Sequence, residues 1–258
     1  MRPLLILALL LPPSSLLATT PTDRGQSIAI AADNRLHGYG DMQGRLEMIL
    51  TSPSGDTAKR VLRVQSLESG KNSDKTLMVF ETPRDLAGTG LLTWTHHEGD
   101  DEQWLYLPAI KRVKQIGARN KSGPFMGSEF AFEDIVTPFW QKFHYRFMRE
   151  EVRDGLPCLV VERIPTDPYS GYTRQIMWVD RADLLIRRIE YYDRKNALLK
   201  TYTASGFTRH NNAHWRPSDM LMVNHLTGKQ TRLLWSEYRF GAGLKEEQFT
   251  QNALLRVK

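Results

Sequence analysis

Apolar and polar residues alternate with a period of two along most of this chain. Arg45–Leu50 sets Leu46, Met48 and Leu50 on one face, and Arg60–Gln65 repeats the rhythm. In Lys75–Glu81 the charged ends share one parity, so Met78 and Phe80 share the opposite, inward one. Leu91–His96 and Gln103–Leu107 read as a hairpin, with Leu92 and Trp94 assigned to the same inward set. Turn chemistry separates these runs, as in Ser52-Pro53-Ser54-Gly55-Asp56 and Ser69-Gly70-Lys71-Asn72-Ser73. Further strands are expected over 145–153, 158–163, 174–179, 185–192, 198–207, 216–224 and 229–239. Successive turns at this spacing favour an antiparallel meander over βαβ units, giving a mainly β (α+β) domain of about 11 strands.

The rhythm breaks in two places. Gln26–Leu36 is a helix candidate, ended by Gly38 and Gly40. The second break, Phe125 to Phe143, carries Phe125, Met126, Phe130, Phe132, Phe139 and Trp140 in an irregular stretch that opens with Gly123, Pro124 and Gly127. Ser128 is a reasonable N-cap, so a short helical lid is expected here. Its rings have two readings. They plug an ordinary core, or they form the movable wall of an apolar pocket. A curved sheet must cover its concave face in either case. Leu46, Met48, Met78, Phe80, Leu92 and Trp94 are the candidate lining, and strand parity alone leaves open whether the interior is filled or hollow.

Three motifs carry a resemblance. They are Pro83…Gly88-Thr89, Trp104-Leu105-Tyr106-Leu107-Pro108 with Lys111-Arg112, and Phe125-Met126-Gly127-Ser128-Glu129-Phe130…Glu133-Asp134. Through them the chain resembles the LolA-like periplasmic family of outer-membrane lipoprotein-sorting proteins. The resemblance implies a LolA/LolB-like open half-barrel with a lid, an apolar cavity and a helix at its mouth. It also implies a lipid or lipoprotein acyl chain as ligand, and an inner-membrane exporter of the resistance-nodulation type or an outer-membrane acceptor as partner.

Composition narrows the setting. Arg2, the apolar run Leu4–Leu11, Pro12-Pro13 and Leu16-Leu17-Ala18 read as a cleaved signal peptide over 1–18. A single domain over 19–258 in the periplasm is therefore expected, and about 240 residues suffice for one large β core. Cys158 is the only cysteine, so no intrachain disulfide forms, and its apolar neighbours suggest an inert buried thiol. The net charge of +6 is scattered over the chain. No recognition motif for nucleic acid is present.

Catalytic patterns are also missing. There is no His-Glu-x-x-His, no phosphate-binding glycine loop and no Gly-x-Ser-x-Gly. His96 and His97 sit among acids, but neighbouring strand residues point to opposite faces, which favours a polar hairpin tip over a metal site. No cofactor or metal is expected. The leading expectation is a non-enzymatic carrier of an acylated ligand. The alternatives are an envelope adaptor with a packed barrel interior and a hydrolase assembled from distant residues.

Overall fold

The computed structural model describes residues 20–70, 73–136 and 138–257, so the expected signal segment 1–18 lies outside the described residues. Helix α1 spans Pro21–Asn34. Six strands follow: β1 (Asp41–Thr51), β2 (Thr57–Glu68), β3 (Ser73–Thr82), β4 (Gly90–His96), β5 (Glu102–Leu107) and β6 (Arg112–Gln115). After residues 116–142 come β7 (Phe143–Arg153), β8 (Leu156–Pro165), β9 (Arg174–Asp180), β10 (Ile186–Tyr192) and β11 (Leu198–Ser205). A separate hairpin, β12 (Thr208–His210) and β13 (His214–Arg216), precedes β14 (Asp219–Asn224) and β15 (Gln230–Phe240). Helix α2 is Gln251–Leu254.

Thirteen strands form one antiparallel sheet in the order β6-β5-β4-β3-β2-β1-β15-β14-β11-β10-β9-β8-β7. This is the antiparallel meander expected from the strand pattern, and the open half-barrel that the resemblance implies. The short edge strand β6 accounts for part of the higher strand count. The two sequence halves meet where β1 pairs with β15, with Leu46 opposite Trp235 and Met48 opposite Leu233. Strands β6 and β7 are therefore the two free edges. The segment between them has to cross from one edge to the other, and it does so over the concave face.

Helix α1 starts earlier than the apolar pattern suggested. Thr20 and Asp23 form a capping box, with Thr20 Oγ1 accepting from the Asp23 amide at 3.1 Å, and Pro21 occupies the first turn. These signals precede the first buried apolar residue, Ile28. The helix lies against the β7 edge so closely that a Cβ on Gly25 would sit 2.6 Å from the Phe147 nitrogen. Only glycine permits that approach, which seats α1 directly on the β7 backbone.

Both faces of the first half-sheet are covered. On the concave side Leu46, Met48, Leu62, Val64, Met78, Phe80, Leu91 and Leu105 belong to the main core. On the convex side Leu77, Val79, Leu92, Trp104 and Tyr106 pack under Phe249 and Leu254 from the C-terminal segment. Trp94 joins this outer cluster and donates its indole N–H to the Phe249 carbonyl at 2.8 Å. Leu92 and Trp94 therefore belong to the convex face, a correction to their expected place in the cavity lining. The register explains it: Met78 stands opposite Leu91, and Leu77 opposite Leu92. With both faces of β4 buried, its sequence shows no polar–apolar alternation to set the parity. Cys158 is buried in a third cluster with Val160, Ile176 and Trp178.

The crossing segment holds single 3-10 turns at Phe125–Gly127, Phe132–Asp134 and Trp140–Lys142 in place of a continuous helix. Met126 (φ 49°) and Gly127 (φ 76°) are both left-handed, which a right-handed helix does not tolerate. Ser128 is extended, and its hydroxyl donates to the Phe130 carbonyl at 3.2 Å instead of capping a helix.

Candidate ligand cavity

Between the concave face and this lid lies a cavity of about 830 Å³. That falls within the roughly 300–1,000 Å³ of small-molecule sites. Leu46 and Met78 border it from the first half-sheet, Met177, Ile189 and Met220 from the second, and Ala29 and Ala32 from α1. Phe130, Phe132 and Trp140 form its lid side.

Other expected lining residues sit elsewhere on the concave side. Phe125 is fully buried, its ring 5.9 Å from that of Phe80 and 5.5 Å from that of Phe132. Met126 packs against the same core as Met48 and Phe80, and Arg60 donates to its carbonyl. This end of the half-barrel is filled by protein. Phe139, 2% exposed, stacks on His37 at 5.0 Å and meets the ring of His97 at 3.8 Å. His96 turns to Glu102 at 3.3 Å, so the two adjacent histidines diverge.

The lid is fastened by its acids. Lys200 Nζ donates to Asp134 Oδ2 at 2.6 Å and to the Glu129 carbonyl at 2.9 Å. Tyr172 Oη donates to Asp134 at 2.9 Å. Glu129 accepts from Asn224 Nδ2 at 2.7 Å, and its amide donates to Thr231 Oγ1 at 2.9 Å. The Glu133 carboxylate accepts from Ser170 Oγ at 2.7 Å and the Gly171 amide at 2.8 Å. Burial raises the pKa of Glu133, and Asp134 beside it adds to the rise. A buried pair such as Lys200–Asp134 adds little net stability, but leaving either partner alone is costly, so it sets the lid's position. In the sequence Glu133 and Asp134 stand out only as the end of the Phe125…Glu133-Asp134 motif. The available signal was Lys200, a cation at the parity of Leu198 and Tyr202.

At the mouth, His37 Nδ1 lies 3.4 Å from Asp33 Oδ2 and its Nε2 3.3 Å from Asp74 Oδ2. The Asp74 contact is off the hydrogen-bond line, so it is an ion pair rather than an aligned bond. Burial works to lower the imidazole pKa, and the two carboxylates outweigh it, holding it at about 9. Burial raises Asp33 to about 6, against the pull of His37.

An open antiparallel sheet with a lid over a hollow concave face is the LolA-like class of fold. A family model described as "Uncharacterized protein" matches residues 72–256. An outer membrane lipoprotein-sorting protein domain from Vibrio parahaemolyticus is 45% identical, with a TM-score of 0.89 over 91% of this chain and 100% of that one. A DUF1329 family protein from Desulfovibrio piger is 30% identical, with a TM-score of 0.87 over 92% of this chain and 100% of that one. A LolA superfamily protein from Nitrosomonas europaea shares the fold at 21% identity, with a TM-score of 0.70 over 89% of this chain and 98% of that one. No curated protein matches. The chain belongs to the DUF1329 family and has a LolA-like fold.

Proposed function

We propose that this chain is a periplasmic carrier that takes up an acyl chain, from a lipid or a lipoprotein, beneath its lid. The observation that carries this reading is the hollow between the concave face and the Phe130–Trp140 part of the lid. Its walls mix aliphatic, methionine and aromatic side chains, which repack around flexible chains at low cost. Burial there stabilises a bound chain by about 25 cal/mol per Å² removed from water. The likeness to a lipoprotein-sorting domain points the same way. The ligand is carried without bond chemistry. In this reading residues 1–18 are cleaved on export, 19–258 act as one domain, and an inner-membrane exporter or an outer-membrane acceptor exchanges the ligand.

Mass spectrometry of lipid extracted from protein purified out of its own cell envelope tests the reading, together with binding of a pyrene-labelled fatty-acyl probe. Co-purifying acyl lipid and saturable probe binding are expected. Met78→Glu places a carboxylate in the apolar wall, where its charge is costly, and should weaken the probe while circular dichroism stays native. Lipid-free native protein that also ignores the probe would move the assignment to an envelope adaptor.

A further inference from the structure

One row of residues crosses the concave face of the second half-sheet. Tyr145 on β7 stands opposite Arg163 on β8, and Arg163 opposite Gln175 on β9. Gln175 faces Tyr191 on β10, Tyr191 faces Lys200 on β11, and Lys200 faces Asn224 on β14. Six polar side chains thus lie side by side on a surface whose neighbours are apolar. Burying polar groups costs free energy unless each is matched, so the partners of the row are informative.

The lid matches one end. Lys200 receives Asp134 and Asn224 receives Glu129, both carboxylates. The other end has no such partner. Arg163 is 8% exposed, and its guanidinium lies 4.3 Å from the centre of the Phe143 ring. Its Nε donates to Gln175 Oε1 at 2.7 Å. Among the described residues no carboxylate lies within ion-pair distance of Arg163, and its terminal nitrogens donate to no protein acceptor. Asp33, which Arg163 influences through space, is occupied by His37. Tyr145 and Tyr191 likewise have hydroxyls with no protein acceptor among the described residues. Burial raises both phenol pKa values, so both stay protonated donors. All four residues from Tyr145 to Tyr191 border the cavity.

We propose that Arg163, with the Tyr145 and Tyr191 hydroxyls, is an anion subsite in the cavity that receives the acidic head of an acyl ligand. The inference rests on the carrier reading and narrows it to anionic amphiphiles, a carboxylate or a phosphate ester joined to an acyl chain. Arginine suits the role because its planar fork offers paired donors to such oxyanions and keeps its charge when buried. The lid shows the same chemistry at the other end of the row, where an acid of the chain itself satisfies Lys200 and Tyr172. At Arg163 the chain supplies no acid, and the ligand does.

The test compares pyrene-labelled hexadecanoic acid with the matching pyrene-labelled hexadecanol at neutral pH. The wild-type chain should bind the acid about tenfold more tightly, the step expected of one charge-assisted contact. Arg163→Gln should erase that preference while leaving affinity for the alcohol within about twofold, since the apolar walls are untouched. Arg163→Lys should restore part of it. Tyr145→Phe, which keeps the ring, should cost the acid a smaller factor, and it carries the test if Arg163→Gln does not fold. Equal binding of acid and alcohol by the wild type, or a preference that survives in Arg163→Gln, overturns the subsite and leaves the carrier reading standing. Binding of neither molecule overturns both. Calorimetry with inorganic phosphate alone separates a head group from a free anion. Arg163-dependent binding of phosphate, with no preference between the two pyrene compounds, would reassign the site to small anions and overturn the amphiphile.

Discussion

The two ends of the space under the lid are built from similar residues and do different things. At one end Phe125 closes on Phe80 and belongs to the same packed core as Met48, Leu62 and Leu91. At the other, Phe130, Phe132 and Trp140 look onto a cavity of about 830 Å³. The difference comes from the partners beneath. The first half-sheet presents apolar side chains that a phenyl ring can fill against. The second presents the Tyr145–Arg163–Gln175–Tyr191 row, all four residues of which border the cavity. The lid is a plug over one and a roof over the other.

Truncation of the two lid phenyls breaks or sharpens this contrast most directly. Phe125→Ala should cost about 3–5 kcal/mol in urea unfolding, because it empties a closed, fully packed site. Phe130→Ala should cost clearly less, since its ring borders the cavity. It should instead speed release of a bound acyl probe. Equal losses at the two positions would mean that both ends are plugged.

Lys200→Met comes next. It strands the Asp134 carboxylate, whose side chain is 3% exposed, and should cost about 3 kcal/mol. Amide exchange over 129–134 should rise more than exchange at Phe125. Pairing it with Asp134→Leu should recover much of the loss, as replacement of a whole buried pair by apolar groups does. Unchanged exchange in the single variant would show that the Lys200–Asp134 pair does not hold the lid.

The smallest expected effect is one of pH, at the open end. Folded His37 holds its proton up to about 9, against 6.5 ordinarily. Its contribution is therefore full below pH 6.5 and is lost as pH rises through 9. Asp33 also binds its proton more tightly when folded, so it lowers stability as pH rises from 3.8 to about 6. Melting temperature should fall between pH 6.5 and 9, and His37→Gln should flatten that fall. An identical profile in the variant would show that the ion pairs beside Phe139 do not hold this part of the lid.

Much of the architecture was legible in the chain. Leu46, Met48, Met78 and Phe80 announced the concave face by parity, because a strand's side chains alternate whatever its neighbours do. The aromatic break at 125–143 announced the lid, because no sheet rhythm continues through it. Leu92 and Trp94 face the convex side against expectation because β4 is buried on both faces, and its alternation is silent without the register against β3. The expected lid helix does not form, since local capping chemistry at Ser128 yields to the left-handed pair Met126-Gly127 just before it.

The chain by itself determined most strands of the sheet, their antiparallel meander and the segment that covers it, from local alternation and turn chemistry; the short strands β6, β12 and β13 carry too little alternation to be read this way. Only the tertiary structure decided which strands became the free edges, and hence that residues 116–142 must span the concave face. It alone also assembled the row from Tyr145 to Asn224, whose members meet across six strands. Each of them reads in sequence as an ordinary polar residue in its own strand. Their common role arises from hydrogen-bonded register, which is fixed by the packing of the whole sheet and not by any one strand.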